Sequence, residues 1–337
     1  MSKYLIKEIK VVFILWIFLL VITLLAVVLY NTYSAGAILK IKSLDQSPNT
    51  QTKLLIIEGD KYVRELAGLV NNADDFNNQK VQQIFNKAYE SYYRAFELSS
   101  WNLDLYKKLA DLYKLKEDEI NQHYWLCLRA IEAKQFKEVR SELAELEKID
   151  SSNPNVKFLW GRYLLSQGMQ MNSLGKKSEA QNNYLKALDY FAETREIGRL
   201  MCESIAYSGI CKNMLGNTNG AIEDLKIALI NNPEDDSVVK LLSSLLFQKG
   251  ETSKAIKLLE VFLQNESNFY KINIRHALAK YYFDVGEHDK AIKQMELSVK
   301  HNRNNPVLYN DLAEMYTKMG DSQKAMESLA NALKHSK

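Results

Sequence analysis

The chain has 337 residues, 47% of them hydrophobic and 25% charged, with 13 Gly and only 4 Pro. That is enough for a large core, and the scarcity of both breakers favours helix over sheet. A net charge of +3, with basic and acidic residues interspersed, excludes the basic stripe expected of a nucleic-acid binder and fits solvated helix faces.

Residues 1–10 carry Lys3, Lys7 and Lys10. The next twenty residues, 11–30, have Thr23 as their only clearly polar side chain. As a helix they would span roughly 30 Å, the thickness of a bilayer core. Tyr4 lies on one side and Tyr30 and Tyr33 on the other, where interfacial aromatics are expected. A transmembrane helix is therefore predicted over 11–33. A cleaved secretory signal would have a shorter apolar core, of about 7–15 residues. The small triplet Ala35, Gly36, Ala37 resembles a cleavage site, but the apolar run is too long and ends before it. The reading is an uncleaved anchor. Lys3, Lys7 and Lys10 outweigh Lys40 and Lys42, so the positive-inside rule puts the N-terminus in the cytoplasm. The rest of the chain is then expected beyond the membrane, which in a bacterium is the periplasmic side of the inner membrane.

Residues 43–51 are polar and contain Pro48, and 34–51 reads as a linker. Helical spacing begins at 52 with Leu55, Ile56, Val63, Leu66 and Val70, and breaks at 71–75. Residues 80–99 resume it with Ala88, Tyr92, Ala95 and Phe96. Residues 101–114 form another amphipathic stretch around Tyr106, Leu109 and Tyr113. Residues 117–133 follow after a very short gap, and a further helix carries Phe136, Val139, Leu143 and Leu146. Two longer helices are predicted across 155–191.

The C-terminal part is organised by a repeat. Residues 272–305 and 306–337 match at a constant offset of 34. Leu278 and Ala279 fall over Leu312 and Ala313, Tyr282 over Tyr316, Gly286 over Gly320, and Ala291 over Ala325. A period of this length, with small and aromatic residues at fixed places, marks a helix–turn–helix array. Ala279 and Ala291 are expected where two helices touch, and Gly286 where a helix must stop and reverse.

This pattern resembles the tetratricopeptide repeat family. The last repeat fills the family's positions with Tyr309, Leu312, Ala313, Tyr316, Gly320, Ala325, Leu329 and Ala332. The segment 202–235 supplies Gly209, Gly216, Ala221, Leu225, Ala228 and Pro233. The segment 236–271 supplies Gly250, Ala255, Leu259 and Phe262. Before 202 the likeness is partial: Gly161 fits, but Gly175 and Ala180 arrive seven residues late, two helical turns. Residues 80–99 look like the second helix of a diverged repeat. The resemblance implies an all-α fold, a right-handed superhelix or α-solenoid, with a diverged region over 52–153 and the solenoid proper over 154–337, its repeats clearest from 202, preceded by one transmembrane helix.

No residue pattern suggests catalysis, so no enzyme, cofactor, metal or small-molecule substrate is expected. Cys127, Cys202 and Cys211 form no Cys-x-x-Cys pair. Cys202 and Cys211, nine residues apart on one helix, would be roughly 13 Å apart, beyond disulfide reach. His123, His276, His288, His301 and His335 match no ligand motif. Family members that clamp a C-terminal carboxylate use Lys, Asn and Arg at set places. Here Lys240 fits one of them, but Ser244, Ala277, Val307 and Asp311 stand in the others, so that function is not carried over.

What the resemblance does imply is protein binding on a concave groove lined by first helices. Its positions here are Lys240, Phe247, His276, Lys280, Phe283, Asn310 and Glu314. Lys240, His276 and Lys280 suggest a mildly positive lining for an acidic or amphipathic segment. The function expected is a membrane-anchored scaffold in a bacterial envelope complex such as a secretion, pilus or flagellar system. The alternative is an adaptor that recruits an enzyme or protease to the membrane. Partners are proteins and, through one helix, the lipid bilayer, with no nucleic acid.

Overall fold

In the computed structural model of the protein, residues 48–99, 101–265, 271–303 and 305–335 are described. The chain divides into a unit of residues 1–50 and a unit of residues 51–337. The helices below belong to the second, apart from the first turn of the first helix. All regular structure among the described residues is helical. The diverged region holds α1 (Pro48–Ala67), a 3-10 turn (Ala73–Asn77), α2 (Gln79–Leu98), α3 (Leu103–Leu115), α4 (Glu119–Glu132) and α5 (Phe136–Asp150). Then come α6 (Pro154–Ser173), α7 (Lys177–Thr194), α8 (Met201–Met214) and α9 (Thr218–Asn231). The chain continues with α10 (Asp236–Gln248), α11 (Thr252–Gln264), α12 (Ile272–Asp284), α13 (His288–His301), α14 (Pro306–Lys318) and α15 (Ser322–Lys334).

Two expectations meet the structure at the N-terminal side. The segment read as a membrane helix, 11–33, lies outside the described residues. Among those that are described, no helix is long and apolar enough to cross a membrane. The linker read over 34–51 is too long at its C-terminal end, because α1 already starts at Pro48. Proline suits a first helical turn, where its missing N–H would have had no partner.

Local chemistry sets the helix ends. Asn or Asp side chains cap α2, α3, α4, α6, α9, α10, α14 and α15 by accepting from backbone N–H groups in the first turn. The C-terminal ends follow one rule. At Gly286 the backbone takes φ +83°, its N–H bonds to Phe283 O, and the next N–H bonds to Tyr282 O. This pair of bonds satisfies two orphan carbonyls and reverses the chain in three residues. The same turn recurs after α6, α8, α10 and α14 with glycine at its centre. It also recurs after α3 and α4, where Glu117 (φ +56°) and Lys134 (φ +57°) hold the left-handed conformation instead. A non-glycine residue there costs about 1 kcal/mol.

Packing follows from small residues at helix crossings. Ala279 and Ala291 are fully or almost fully buried, as are Ala313 and Ala325 one repeat later. On α6 the contact is closer still: a Cβ on Gly161 would lie 2.7 Å from the Phe191 ring. From α2 on, each helix packs on the next, and α4 on α6, α6 on α8 and α10 on α12 as well. Alternate helices therefore form a row. The buried side chains fall into three apolar clusters, running from Leu66 to Cys211, from Ile205 to Ala255 and from Val239 to Ala325. The long pair across 155–191 is α6 and α7, of 20 and 18 residues against 13 or 14 in the pairs that follow.

The structure corrects the reading of residues 80–99 as a second helix. Tyr93 and Phe96 of α2 pack on Trp125 of α4, at 6.4 and 5.5 Å between ring centres. This puts α2 in the row that α4 and α6 continue. The reason is the pair of turns at Glu117 and Lys134. Both are of the type that joins helices within a pair, so α4 closes on α3 and on α5 alike.

Candidate functional site

The positions singled out lie on three first helices, α10, α12 and α14. Lys240 and Phe247, His276, Lys280 and Phe283, and Asn310 and Glu314 follow helical spacing on their own helices. Contacts between helices bring the three sets together. The Phe247 ring stacks on Tyr281 at 4.4 Å and 9°. Burial raises the Tyr281 pKa, and the Ser243 and Ser244 hydroxyls of α10 oppose it. His276 Nε2 lies 2.5 Å from Asp311 Oδ2 of α14, and Lys280 Nζ lies 3.2 Å from the same oxygen. Phe283 packs against His288 at 4.6 Å, with Lys318 Nζ 5.7 Å from its centre. Asn310 is exposed, and Glu314 is exposed and paired with Lys318 at 2.7 Å. Both phenylalanines are half-buried, neither free anchors nor closed core.

Electrostatics change the expected lining. Burial pushes the His276 pKa below its ordinary value, and Lys280 and Lys240 push it the same way, against Asp311. Burial thus disfavours the charged imidazolium, and Nε2 faces the Asp311 carboxylate. Lys280 faces that carboxylate too. Asp311 adds a carboxylate beside two of the groups, His276 and Lys280, from which a positive lining is read. Asp311 has no counterpart in the sequence reading except as a missing clamp cation.

A second concentration of polar and aromatic side chains was not singled out from the sequence. Arg162 on α6 lies over the Tyr207 ring of α8 at 4.3 Å and reaches Glu132 of α4 at 2.5 Å. Burial opposes its charge, but Tyr207, Glu132, Glu203 and Tyr124 raise its pKa. The Tyr207 phenol is pushed up to about 12, chiefly by burial. Trp125 and Tyr106 stand nearby, at 6.2 Å from each other. Arg162 follows Gly161, a residue that fits the repeat, so the register alone would have found it. At the N-terminal side, an open cleft of about 670 Å³ is lined by Asp60, Tyr92 and Lys108 among others. Tyr92 donates to Asp60 at 2.6 Å and Lys108 at 2.8 Å, tying α1 to α2 and α3.

Cys127 and Cys211 are buried and Cys202 half-buried, all as free thiols. Burial raises the Cys211 pKa to about 12, so the thiolate that would be nucleophilic is suppressed. Among the described residues no three His, Cys, Asp or Glu side chains gather at a metal-binding distance.

Comparison with known proteins follows the repeat. A family model of the tetratricopeptide repeat matches residues 307–334. Tetratricopeptide repeat protein 14 of Mus musculus is 27% identical over 194 residues, which is 53% of this chain and 23% of the mouse protein. The chain therefore spans under a quarter of the length of that relative. The crystal structure of the Cut9–Hcn1 hetero-tetramer of the APC/C is 14% identical, with a TM-score of 0.51 over 86% of this chain and 52% of that one. At that identity the likeness is one of fold. The crystal structure of MamA is 22% identical, with a TM-score of 0.40 over 48% of this chain and 94% of that one.

Proposed function

We propose that this chain, which a tetratricopeptide repeat model matches over residues 307–334, is a protein-interaction scaffold whose first helices α10, α12 and α14 receive a segment of a partner. The observation that carries the reading is the convergence of three helices on one stripe: Phe247 on Tyr281, and His276 with Lys280 on Asp311. The stripe offers two half-buried aromatic rings, an exposed ammonium at Lys240 and a carboxylate at Asp311. Such a mixture of apolar anchors and rim charges suits an extended or helical peptide with apolar and acidic residues. The double variant Lys240→Glu with Lys280→Glu is expected to lower recovery of the partner severalfold while the far-ultraviolet circular dichroism spectrum is unchanged. Lys293→Glu, on an exposed position of α13, is the control. Equal recovery with all three proteins would remove the stripe as the docking surface.

The scaffold is held at a membrane in this reading. The support is the twenty-residue apolar run at 11–30 with lysines before it. The N-terminus is placed in the cytoplasm and the repeats on the far side, in the bacterial inner membrane, serving the assembly of an envelope complex. The full chain is expected to stay in the membrane fraction through high-salt and alkaline washes. Its release into the alkaline supernatant would mean that no helix spans the bilayer.

A further inference from the structure

His276 lies where three first helices bring charges together. On α14, Asp311 Oδ2 lies 2.5 Å from His276 Nε2. The same oxygen lies 3.2 Å from Nζ of Lys280, one turn along α12. Lys240 of α10 is within electrostatic reach of the ring. The next turn of α14 carries Glu314, which is paired with Lys318. The second helices α11 and α13 meet α12 at other residues. Glu260 of α11 accepts from the Tyr282 hydroxyl, Lys290 of α13 stands 5.4 Å from the centre of that ring, and Gln294 of α13 accepts from Arg275. The imidazole of His276 thus faces a carboxylate that it shares with one ammonium, and it feels a second.

That sharing makes the proton on His276 a variable. The His276 and Asp311 side chains are 22% and 19% exposed. Water can deliver a proton there, yet a neighbouring charge is felt more strongly than in bulk solvent. Burial is the largest influence on the His276 pKa and pushes it below the ordinary 6.5. Asp311 opposes this, and Lys280 and Lys240 add to the fall. At pH 7.5 the ring is therefore mostly neutral, and the charges of Lys280 and Asp311 cancel. As pH falls below 6.5 the ring gains its proton, and the group of three becomes a net cation. The imidazolium then competes with Lys280 for Asp311.

We infer that an acidic segment docked on α10, α12 and α14 binds together with a proton that His276 takes up from solvent. The inference rests on the docking proposed above and names its partner chemistry and its regulation. A partner carboxylate beside the group stabilises the imidazolium, and by reciprocity the imidazolium stabilises the bound carboxylate by the same factor. Lys280, half-exposed and no longer alone on Asp311, turns to the incoming carboxylate. The linkage also selects. Acidic segments bind tighter as pH falls from 7.5 to 5.5, a range in which carboxylates with ordinary pKa values of about 4 stay ionised. Basic segments gain nothing from the added charge.

The probe is a fluorescein-labelled amphipathic peptide of Leu and Glu residues, titrated against the full chain in mild detergent and followed by anisotropy at pH 7.5 and 5.5. Saturable binding, severalfold tighter at pH 5.5, is expected. In His276→Gln the two affinities should be equal. A peptide with Lys in place of Glu should show no gain at the lower pH. The nuclear magnetic resonance titration of the His276 ring is a second measurement. Its midpoint should lie below 6.5 in the wild type, lower still in Asp311→Asn, and should rise when the acidic peptide saturates the protein. Equal wild-type affinity at both pH values, or a midpoint that the peptide does not move, would overturn the linkage. If Lys240→Glu with Lys280→Glu still weakened binding, the docking itself would stand. Absence of saturable binding at either pH would overturn both.

Discussion

Phe191→Ala is expected to be among the most disruptive single substitutions in the chain, lowering stability by about 3–5 kcal/mol. The ring is fully buried, lies 5.6 Å from Tyr207 in a stacked arrangement and 5.9 Å from Phe158, and fills the space that Gly161 leaves open. Gly161, which faces the ring, has no side chain to fill the cavity left behind. The loss should be regional. Phe191 belongs to the apolar cluster that ends at Cys211, whereas residues 272–335 are held by a different one. Hydrogen exchange should show faster exchange in α6, α7 and α8 and little change in α14 and α15. Uniform loss of protection over the whole chain would mean that the repeats unfold as one unit.

Ala291→Leu should cost about 1–3 kcal/mol. Ala291 has no exposed surface, and it sits where α13 crosses α12 opposite the equally buried Ala279. Three extra carbons can be accommodated only by parting two helices, which would also shift the stripe at His276 and Lys280. Thermal unfolding followed at 222 nm measures it. An unchanged midpoint would show that the crossing has slack, contrary to the burial.

Much of this could be read in the residues. Gly286 and Gly320, an offset of 34 apart, located the turns, and Ala291 and Ala325 located the crossings, because only small or flexible residues satisfy those geometries. The diverged region was harder for a physical reason. Glu117 and Lys134 occupy turn centres at a tolerable strain, so the turns leave no glycine in the sequence. The candidate positions follow from the repeat register, but their contacts do not. That Asp311 would meet both His276 and Lys280 depends on the angle between successive pairs, which no single repeat encodes. The register at Gly161 gives the position of Arg162 but not its contacts, because its partners Glu132 and Tyr207 lie on the preceding and following first helices.

The double service of α4 has a consequence of parity. Helices in this array alternate between two rows, so adding or removing two of them leaves every side chain on its original side. Adding or removing one does not. The helix pattern changes phase at α4, where one helix acts as second partner to α3 and first partner to α5. On the N-terminal side of that junction, the row that begins α4, α6, α8 is continued by α2, with Tyr93 and Phe96 in place of first-helix positions. A ligand tracking along the row from α14 would therefore meet one recurring code as far as α4 and a different one beyond it, as a crystal changes at a grain boundary.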